Sequence, residues 1–191
     1  MFLKYKNPLL LFLFLEKTPI VYWTSKTISI QHNIVYVPKK WFYLLTQIMK
    51  YELIFNNNFL IENSAVDTSS YKTLPFNTLN MSFNKILNFY TFYYYNIKTK
   101  ITFFIGNNIL SEYSYTSIDK LYPNANWLER ETSEMYNLIF FWKNDTRRLL
   151  LDYSKNENPM LKNYPCEGYV DVFYNIFENQ VTTQTSETIE L

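Results

Sequence analysis

The sequence predicts an α+β protein: a mostly antiparallel sheet with flanking helices, followed by an extended C-terminal tail. Three observations support this class. Residues 85–96 and 99–105 are two strand-forming runs separated by a short turn, which predicts an antiparallel pair. Residues 41–53 carry apolar side chains at helical spacing. From residue 152 onward, prolines and a glycine interrupt any periodicity, so we expect no long element there.

The N-terminal region begins with a predicted helix and a predicted hairpin. Residues 1–18 have mixed apolar faces, and their apolar run is far shorter than the ~20 residues of a membrane helix. No small-residue cleavage site follows it, so we expect neither a direct membrane span nor a cleaved leader. Residues 27–30 and 34–37 predict a short hairpin with its turn at residues 31–33, and Pro38 ends it.

The helix at 41–53 is expected to begin near Lys39 or Lys40, without a good cap. Residues 56–58 then predict a loop, residues 59–66 a strand, and residues 67–75 a polar connection.

A second helix is predicted at residues 125–136, after a loop at 111–121. Asn124 is expected to accept a hydrogen bond from the first helical amides as an N-cap. Asn137 follows, and asparagine tolerates the left-handed conformation of a helix C-terminus. The chain is thus predicted to divide into an α+β domain (1–121), a segment that completes the domain (122–151) and an extended docking tail (152–191).

Composition excludes several classes of function. The net charge is +1, so no basic excess calls for nucleic acid. Charged residues are only 18%, which suits a subunit whose faces are covered by partners. One cysteine, Cys166, and one histidine, His32, cannot build a typical zinc site or an iron–sulfur cluster. Two glycines cannot form a dinucleotide or phosphate-binding loop.

The charged residues of the second helix are the candidate site. Arg130 and Glu134 stand four apart, so they share a face and can pair. Glu129, Glu131 and Glu134 crowd three carboxylates into under two turns, and Arg147 and Arg148 are the nearest candidates for further basic partners. A solvated helix face beside a loop with two arginines is the alternative interpretation. Nothing marks a catalytic carboxylate pair, and Cys166 lies far in sequence from His32, so we expect no nucleophilic Cys–His pair.

A wider pattern surrounds these residues. The helix carries Glu129-Arg130-Glu131 and then Glu134, Met135 and Tyr136, and after it come Lys143, Arg147, Leu149 and Leu150. This pattern resembles the signature of the 30 kDa subunits of respiratory complex I, called subunit 9 where mitochondrial DNA encodes them. The resemblance is strong over residues 115–174. The sequence departs from the family pattern at three places. Asn137 stands where the family usually has a glycine, residues 142–144 replace a Gly-His-Pro type turn, and Leu161 stands where the family usually has an arginine.

The resemblance implies a non-catalytic core subunit of the peripheral arm of NADH:ubiquinone oxidoreductase, on the matrix side of the mitochondrial inner membrane. It implies that this chain binds no cofactor, whereas the complex holds FMN, iron–sulfur clusters and ubiquinone. The implied partners are the 49 kDa subunit and other subunits of the quinone-reducing module, within a large hetero-oligomer without nucleic acid. The aromatic-rich, glycine-poor composition is typical of an A/T-rich genome, which favours encoding in mitochondrial DNA.

The residues expected at the interface belong to the second helix, the following loop and the tail. They are Trp127, Glu129, Arg130, Glu131, Glu134, Asp145, Arg147, Arg148, Asp152, Tyr153, Tyr164, Pro165, Gly168 and Tyr169. Two alternatives stay open: the equivalent subunit of a related membrane-bound hydrogenase or plastid NAD(P)H dehydrogenase-like complex, and an independent soluble enzyme.

Overall fold

The computed structural model describes seven ranges of the chain, residues 21–26, 31–51, 58–69, 86–95, 98–106, 114–153 and 157–186. They form, in chain order, β1 (Val21–Lys26), β2 (Gln31–Pro38), α1 (Lys39–Tyr51), β3 (Asn58–Asp67), β4 (Ile86–Tyr94), β5 (Thr99–Gly106), β6 (Ser114–Thr116), α2 (Ala125–Tyr136), β7 (Ile139–Phe141), β8 (Val170–Asn175) and β9 (Gln180–Thr185). The predicted helix at 1–18, the strand at 27–30 and most of the connection at 67–75 lie outside the described residues.

The main sheet has five strands in the order β1-β2-β5-β4-β3. The β1–β2, β5–β4 and β4–β3 pairs are antiparallel, and only β2–β5 is parallel. The predicted α+β class with a mostly antiparallel sheet is therefore confirmed. Because β2 and β5 run in the same direction, the chain between them must cross over, and it does so through α1, β3 and β4.

One face of β4 forms the centre of the hydrophobic core. The alternate side chains Tyr90, Phe92 and Tyr94 are all buried on it, as the two-residue period of a strand requires. The rings of Tyr90 and Phe42 of α1 stack at 4.8 Å between centroids. The Tyr94 hydroxyl donates to Sδ of Met49, also on α1, at 3.4 Å. Burial of each such side chain stabilises the fold by about 1.5–3 kcal/mol, so this packing fixes α1 on the sheet.

Two of the predicted boundaries are wrong near the sheet. Residues 31–33 lie inside β2 and pair with both β1 and β5, so they are not a hairpin turn. The predicted loop at 111–121 contains the short strand β6, which pairs in parallel with β7. The composition of a three-residue segment predicts a strand only weakly, because pairing with another strand determines whether the segment is extended. The predicted helix at 41–53 is confirmed as α1, with its start at Lys39.

Both ends of α2 were predicted, and one capping detail is wrong. The helix spans Ala125–Tyr136, as the sequence predicts, and Asn137 adopts the expected left-handed conformation with φ of 55°. Asn124 makes no side-chain cap, because its Nδ2 instead donates to the carbonyl of Leu60 on β3 at 2.7 Å. That bond attaches the start of α2 to the edge of the sheet.

The tail contains structure that the sequence did not predict. Strands β8 and β9 form an antiparallel hairpin within a region where we expected no long element. Its two strands pair only with each other among the described residues. The main sheet and helices thus form a body, and the hairpin is a separate exposed element of the tail.

Candidate functional site

Glu129 is the most deeply buried charged group of the described chain, with 0% of its surface exposed. Its Oε1 accepts hydrogen bonds from the Tyr90 hydroxyl at 3.0 Å and the Ile118 amide at 2.9 Å. Its Oε2 accepts from Oγ of Ser117 at 2.5 Å and Nζ of Lys143 at 3.1 Å. One carboxylate therefore joins α2 to the main sheet, to the segment after β6 and to the segment after β7.

Lys143 is the ionic partner of Glu129, and its side chain is only 2% exposed. Its Nζ also donates to the Asn126 carbonyl at 3.0 Å. The expectation that Arg147 and Arg148 supply the basic partners of the helix is wrong for Glu129. The Glu129 side chain points into the body and meets Lys143, directly after β7. Arg147 and Arg148 lie further along the same loop, where Arg130 binds their carbonyls.

Arg130 and Glu134, one helical turn apart, bind the same loop through opposite backbone groups. Nε and Nη2 of Arg130 donate to the carbonyls of Arg147 at 2.8 Å and Arg148 at 3.1 Å. The Glu134 carboxylate accepts hydrogen bonds from three successive amides. These are the amides of Leu149, of Leu150 (2.9 Å) and of Leu151 (3.0 Å). The loop has no helix or strand, so these two side chains satisfy backbone groups that would otherwise lack partners.

Asp145 bridges Arg147 on this loop and Arg130 on α2. Its carboxylate accepts from Arg147 at 2.8 and 3.0 Å and from Nη1 of Arg130 at 3.3 Å. The hydrogen bonds from the Arg147 side chain and amide, with the charge of Arg130, hold the pKa of Asp145 well below its usual range. The Arg147 side chain nevertheless remains 75% exposed.

The loop between β7 and Asp145 contains a strained residue. Trp142, the first residue of the departure at 142–144, has φ of 64°, in the left-handed region that favours glycine. Its exposed ring packs edge-on against Tyr43 of α1, with centroids 5.9 Å apart. Trp142 thus adopts a backbone conformation that glycine adopts without strain.

The first part of the tail is bonded to the body. Nδ2 of Asn158 donates to the carbonyl of Glu134 at 2.7 Å, and the Met160 amide donates to that of Met135 at 3.2 Å. These carbonyls belong to the last turn of α2, which has no intrahelical donors for them. The amide of Lys162 donates to Oδ2 of Asp67, at the end of β3, at 3.0 Å. Residues 158–162 therefore cap α2 rather than extend away from it.

Asp67 holds this contact as a carboxylate. Its partial burial raises the pKa, but the amides of Lys162 and Ser69 and the Lys162 charge outweigh burial, and the net pKa is lowered. Leu161, where the resembling family has an arginine, packs against the hydrophobic core.

The next part of the tail is a tight turn that pairs two tyrosines. The Gly168 amide donates to the Pro165 carbonyl at 3.1 Å, and Gly168 has φ of 81°, which only glycine adopts without strain. Tyr164 and Tyr169 meet edge to face, with centroids 5.1 Å apart. A hydrogen bond from the Tyr164 hydroxyl to Glu157 at 2.6 Å raises the tyrosine pKa to about 12.

The fourteen expected interface residues thus fall into three groups by exposure. Glu129, Arg130 and Glu134 are buried; Asp145, Arg148, Tyr164, Pro165 and Gly168 are half-buried; Trp127, Glu131, Arg147, Asp152, Tyr153 and Tyr169 are exposed. The buried group makes the solvated helix face, the alternative interpretation, wrong for those three side chains. The exposed Trp127 ring lies 5.3 Å from the Arg130 guanidinium carbon, which adds a cation–π contact to that arginine.

Three residues of this network were absent from the expected site. Lys143 was visible in the motif, but its role as a buried partner was not, because lysine is seldom fully buried. Asn158 and Asp67 gave no local signal, since their partners lie 24 and 95 residues away.

The carboxylates of this network are engaged by donors of the chain itself. The carboxylate oxygens of Glu129 and Glu134 already accept hydrogen bonds from several donors each. A small cleft beside them is lined by cationic side chains, including Arg130, Lys143 and Arg147. Within the described ranges, no three His, Cys, Asp or Glu side chains gather in a way that could hold a metal ion. No helix of the described chain is both long and apolar enough to cross a membrane.

The fold and the site define a class of protein: an α+β domain whose charged helix is bonded internally and whose tail exposes aromatic side chains. Residues 35–170 match the model of the family described as "Respiratory-chain NADH dehydrogenase, 30 Kd subunit". The chain belongs to this family, and its resemblance to the 30 kDa subunits of complex I is confirmed.

Similar proteins in two ciliates extend the match to nearly the whole chain. The chain is 34% identical over 187 residues to NADH-ubiquinone oxidoreductase subunit 9 of Paramecium primaurelia, covering 96% of this chain and 87% of that protein. It is 33% identical to the same subunit of Paramecium tetraurelia. A bacterial NADH-quinone oxidoreductase subunit, from Parvibaculum lavamentivorans, is 39% identical, but over only 41% of this chain and 40% of that protein.

Two solved structures share the fold. The trypsin-resistant fragment (1-134) of Nqo5 matches with a TM-score of 0.52 and 17% identity, covering 71% of this chain and 98% of that one. A chain of the membrane-bound sulfane sulfur reductase, an archaeal respiratory membrane complex, matches with a TM-score of 0.56 and 18% identity, covering 82% and 84%. The protein is accordingly a subunit of the peripheral arm of NADH:quinone oxidoreductase.

Proposed function

We propose that this chain is a structural subunit that braces the quinone-reducing module, with the 49 kDa subunit as its main neighbour, and that it carries out no chemistry itself. The observation that supports this most is the division of its side chains. The charged groups that could have been catalytic are engaged inside the chain, while aromatic side chains of the loop and tail are exposed.

The exposed side chains have the composition of a binding surface. Trp127, Tyr153 and Tyr169 are each more than half exposed, and so is Leu150, three residues before Tyr153. Tryptophan, tyrosine and arginine are the residues that most often contribute strongly to binding at interfaces. Single exposed apolar residues are ordinary, but many on one loop and tail indicate a surface that a partner covers.

The names of two relatives support a mitochondrial location. Two similar proteins are named NADH-ubiquinone oxidoreductase subunit 9, a mitochondrial name, which supports a mitochondrial protein. We propose the matrix side of the inner membrane and encoding in mitochondrial DNA. The glycine-poor composition, with 2 glycines and 20% aromatic residues, supports an A/T-rich genome.

Arg147 is the charged anchor best suited to a test. Its side chain is exposed, and its partner Asp145 keeps a bond to Arg130 when Arg147 is removed. Surface ion pairs contribute only ~0–1 kcal/mol to folding. Arg147→Ala should therefore reduce assembly of the arm more than it reduces the stability of the free chain.

The measurement is native electrophoresis of organelle membranes, with mass spectrometry of the band that oxidises NADH. The matched control is Lys120→Ala, which removes one exposed positive charge outside the proposed surface. Normal assembly of the Arg147→Ala arm would refute the anchor role. Absence of the wild-type chain from that band would refute the proposed function as a whole.

A further inference from the structure

The hairpin formed by β8 and β9 is isolated from the rest of the described chain. Its six residue pairs run from Val170–Thr185 to Asn175–Gln180. At its base, the amide and hydroxyl of Ser186 donate to the carbonyls of Tyr169 at 3.1 Å and Gly168 at 2.6 Å. A two-stranded hairpin is at best marginally stable alone in water, so this element needs a further contact to stay folded.

The two faces of the hairpin differ in chemistry. Val172 and Tyr174 of β8 lie opposite Thr183 and Val181 of β9, so they share one face. The side chains of Val172, Tyr174 and Val181 are 59%, 58% and 66% exposed. Phe177 lies in the turn at the tip of the hairpin, and its side chain is 98% exposed.

The opposite face is mainly polar. On it, Asp171 pairs with Gln184 and Asn175 with Gln180, and Phe173 is its one large apolar side chain. An amphipathic sheet normally covers its apolar face with a second layer. Here no described element of the chain provides that layer, so the covering surface must come from outside the hairpin.

The charge of the hairpin indicates what kind of surface can cover its apolar face. Residues 170–186 contain two acids, Asp171 and Glu178, and no lysine, arginine or histidine. Elements that bind membrane surfaces are rich in basic residues, because the lipids are anionic. A second copy of the hairpin would bring like charges together. A protein surface with an apolar floor and a basic rim complements both the face and its charge.

We infer that the hairpin docks its Val172–Tyr174–Val181 face, with the Phe177 tip, into an apolar groove rimmed by Lys or Arg on a neighbouring protein subunit of the same arm. This inference rests on the proposed function. The hairpin begins at Val170, where the match to the family model ends. It orders on docking, since only then is its apolar face buried.

Photo-crosslinking in the assembled arm tests which surface the hairpin meets. A benzophenone amino acid is placed at Val181 or Phe177, and at Gln184 on the polar face as the control. Cross-links from the first two positions to a protein subunit, with far fewer from Gln184, are the expected result. Cross-links chiefly to lipid, to a second copy of this chain, or equally from all three positions would overturn the inference.

Matched substitutions test whether the apolar face drives docking. Val172→Ser with Val181→Ser removes apolar surface without adding charge. Gln180→Ser with Gln184→Ser, the control, also introduces two serines without a change of charge, but on the polar face. The first pair should lower the fraction of chain in the arm by roughly tenfold, the scale of one lost interface anchor. The second pair should leave it within about twofold.

The outcomes separate this inference from the proposed function. If the wild-type chain is absent from the NADH-oxidising band, the proposed function fails. If the wild-type chain is present and the Val172→Ser/Val181→Ser chain assembles equally well, only the docking of the hairpin fails. In addition, Glu178→Gln should weaken the salt dependence of incorporation, since it removes the acid that lies beside Phe177 at the tip.

Discussion

The helix α2 and the hairpin β8–β9 use their side chains in opposite ways. On α2, the charged groups Glu129, Arg130 and Glu134 are buried and bonded to the chain's own backbone and side chains. On the hairpin, apolar side chains such as Val172 and Phe177 are exposed. These charged side chains are buried and these apolar side chains are exposed, which is the reverse of the usual distribution.

The comparison gives the charged motif of α2 a structural role within the chain. A buried ion pair gives little net stability over apolar packing, but losing one partner is strongly destabilising. The Glu129–Lys143 pair fixes the segments after β6 and β7 against α2 through these contacts. Arg130 and Glu134 add to it by supplying partners for a loop without regular structure.

The largest expected effect comes from breaking the buried pair. Glu129→Ala leaves the ammonium of Lys143 buried without its counter-charge and removes the acceptor of Tyr90, Ser117 and Ile118. We expect a loss of about 3–5 kcal/mol in the free energy of unfolding, measured by urea denaturation of the free chain. The control is Glu131→Ala, an exposed acid on the same helix, which should change stability by less than about 0.5 kcal/mol. Equal stability of the two variants would contradict the account of α2.

A smaller but still large loss is expected for Glu134→Ala. Its carboxylate accepts from three amides, and each unsatisfied donor costs about 1–3 kcal/mol when it stays buried. Because the loop can turn some amides to water, we expect roughly 2–3 kcal/mol in total. The same denaturation series measures it, and hydrogen exchange should show faster exchange at residues 149–151. Unchanged exchange there would mean that Glu134 does not hold the loop.

Asp67 gives a moderate, pH-dependent effect at the border between the body and the tail. Asp67→Asn weakens the contact with the Lys162 amide, which should cost about 1 kcal/mol at pH 7. The folded pKa of Asp67 is lowered, so its stabilisation is complete above the unfolded value of about 3.9 and is lost as pH falls through the folded pKa. Denaturation of both chains between pH 7 and pH 3 should therefore show a difference that shrinks only at the acid end. A difference that grows on acidification would contradict the sign of this shift.

The smallest effect on folding is expected at the hairpin tip. Phe177→Ser removes a ring that is 98% exposed, so the free chain should unfold within about 0.5 kcal/mol of wild type. The same substitution should reduce incorporation into the arm. Phe140→Ser, which changes a buried ring of β7, provides the contrast because it should destabilise the free chain. A large loss of stability in the Phe177→Ser chain would show that the tip packs on the body.

The elements that the sequence predicted well are those with local signals. Helix α2 was found to the residue because Pro123 precedes it and Asn137 can adopt a left-handed conformation at its end. The β4–β5 pair was found because both strands are long, aromatic and joined by a short turn. The family was identified from the spacing of the charged residues on α2 and after it, and the match over residues 35–170 confirms it.

The features that the sequence did not predict all depend on contacts between residues far apart in the chain. The burial of Glu129 depends on Tyr90, 39 residues away, and on Ser117, 12 residues away. Strand β9 consists largely of threonine and glutamine, so its pairing with β8 rather than its own composition makes it a strand. Asn124 lost its expected capping role to the Leu60 carbonyl, 64 residues earlier.

Hydrogen–deuterium exchange of the free chain and of the same chain in the assembled arm tests the central claim most directly. The account predicts that amides 149–151, held by Glu134, are protected in both states, whereas amides of residues 170–185 gain protection only in the arm. Protection of 149–151 that appears only on assembly, or a hairpin equally protected in the free chain, would contradict it.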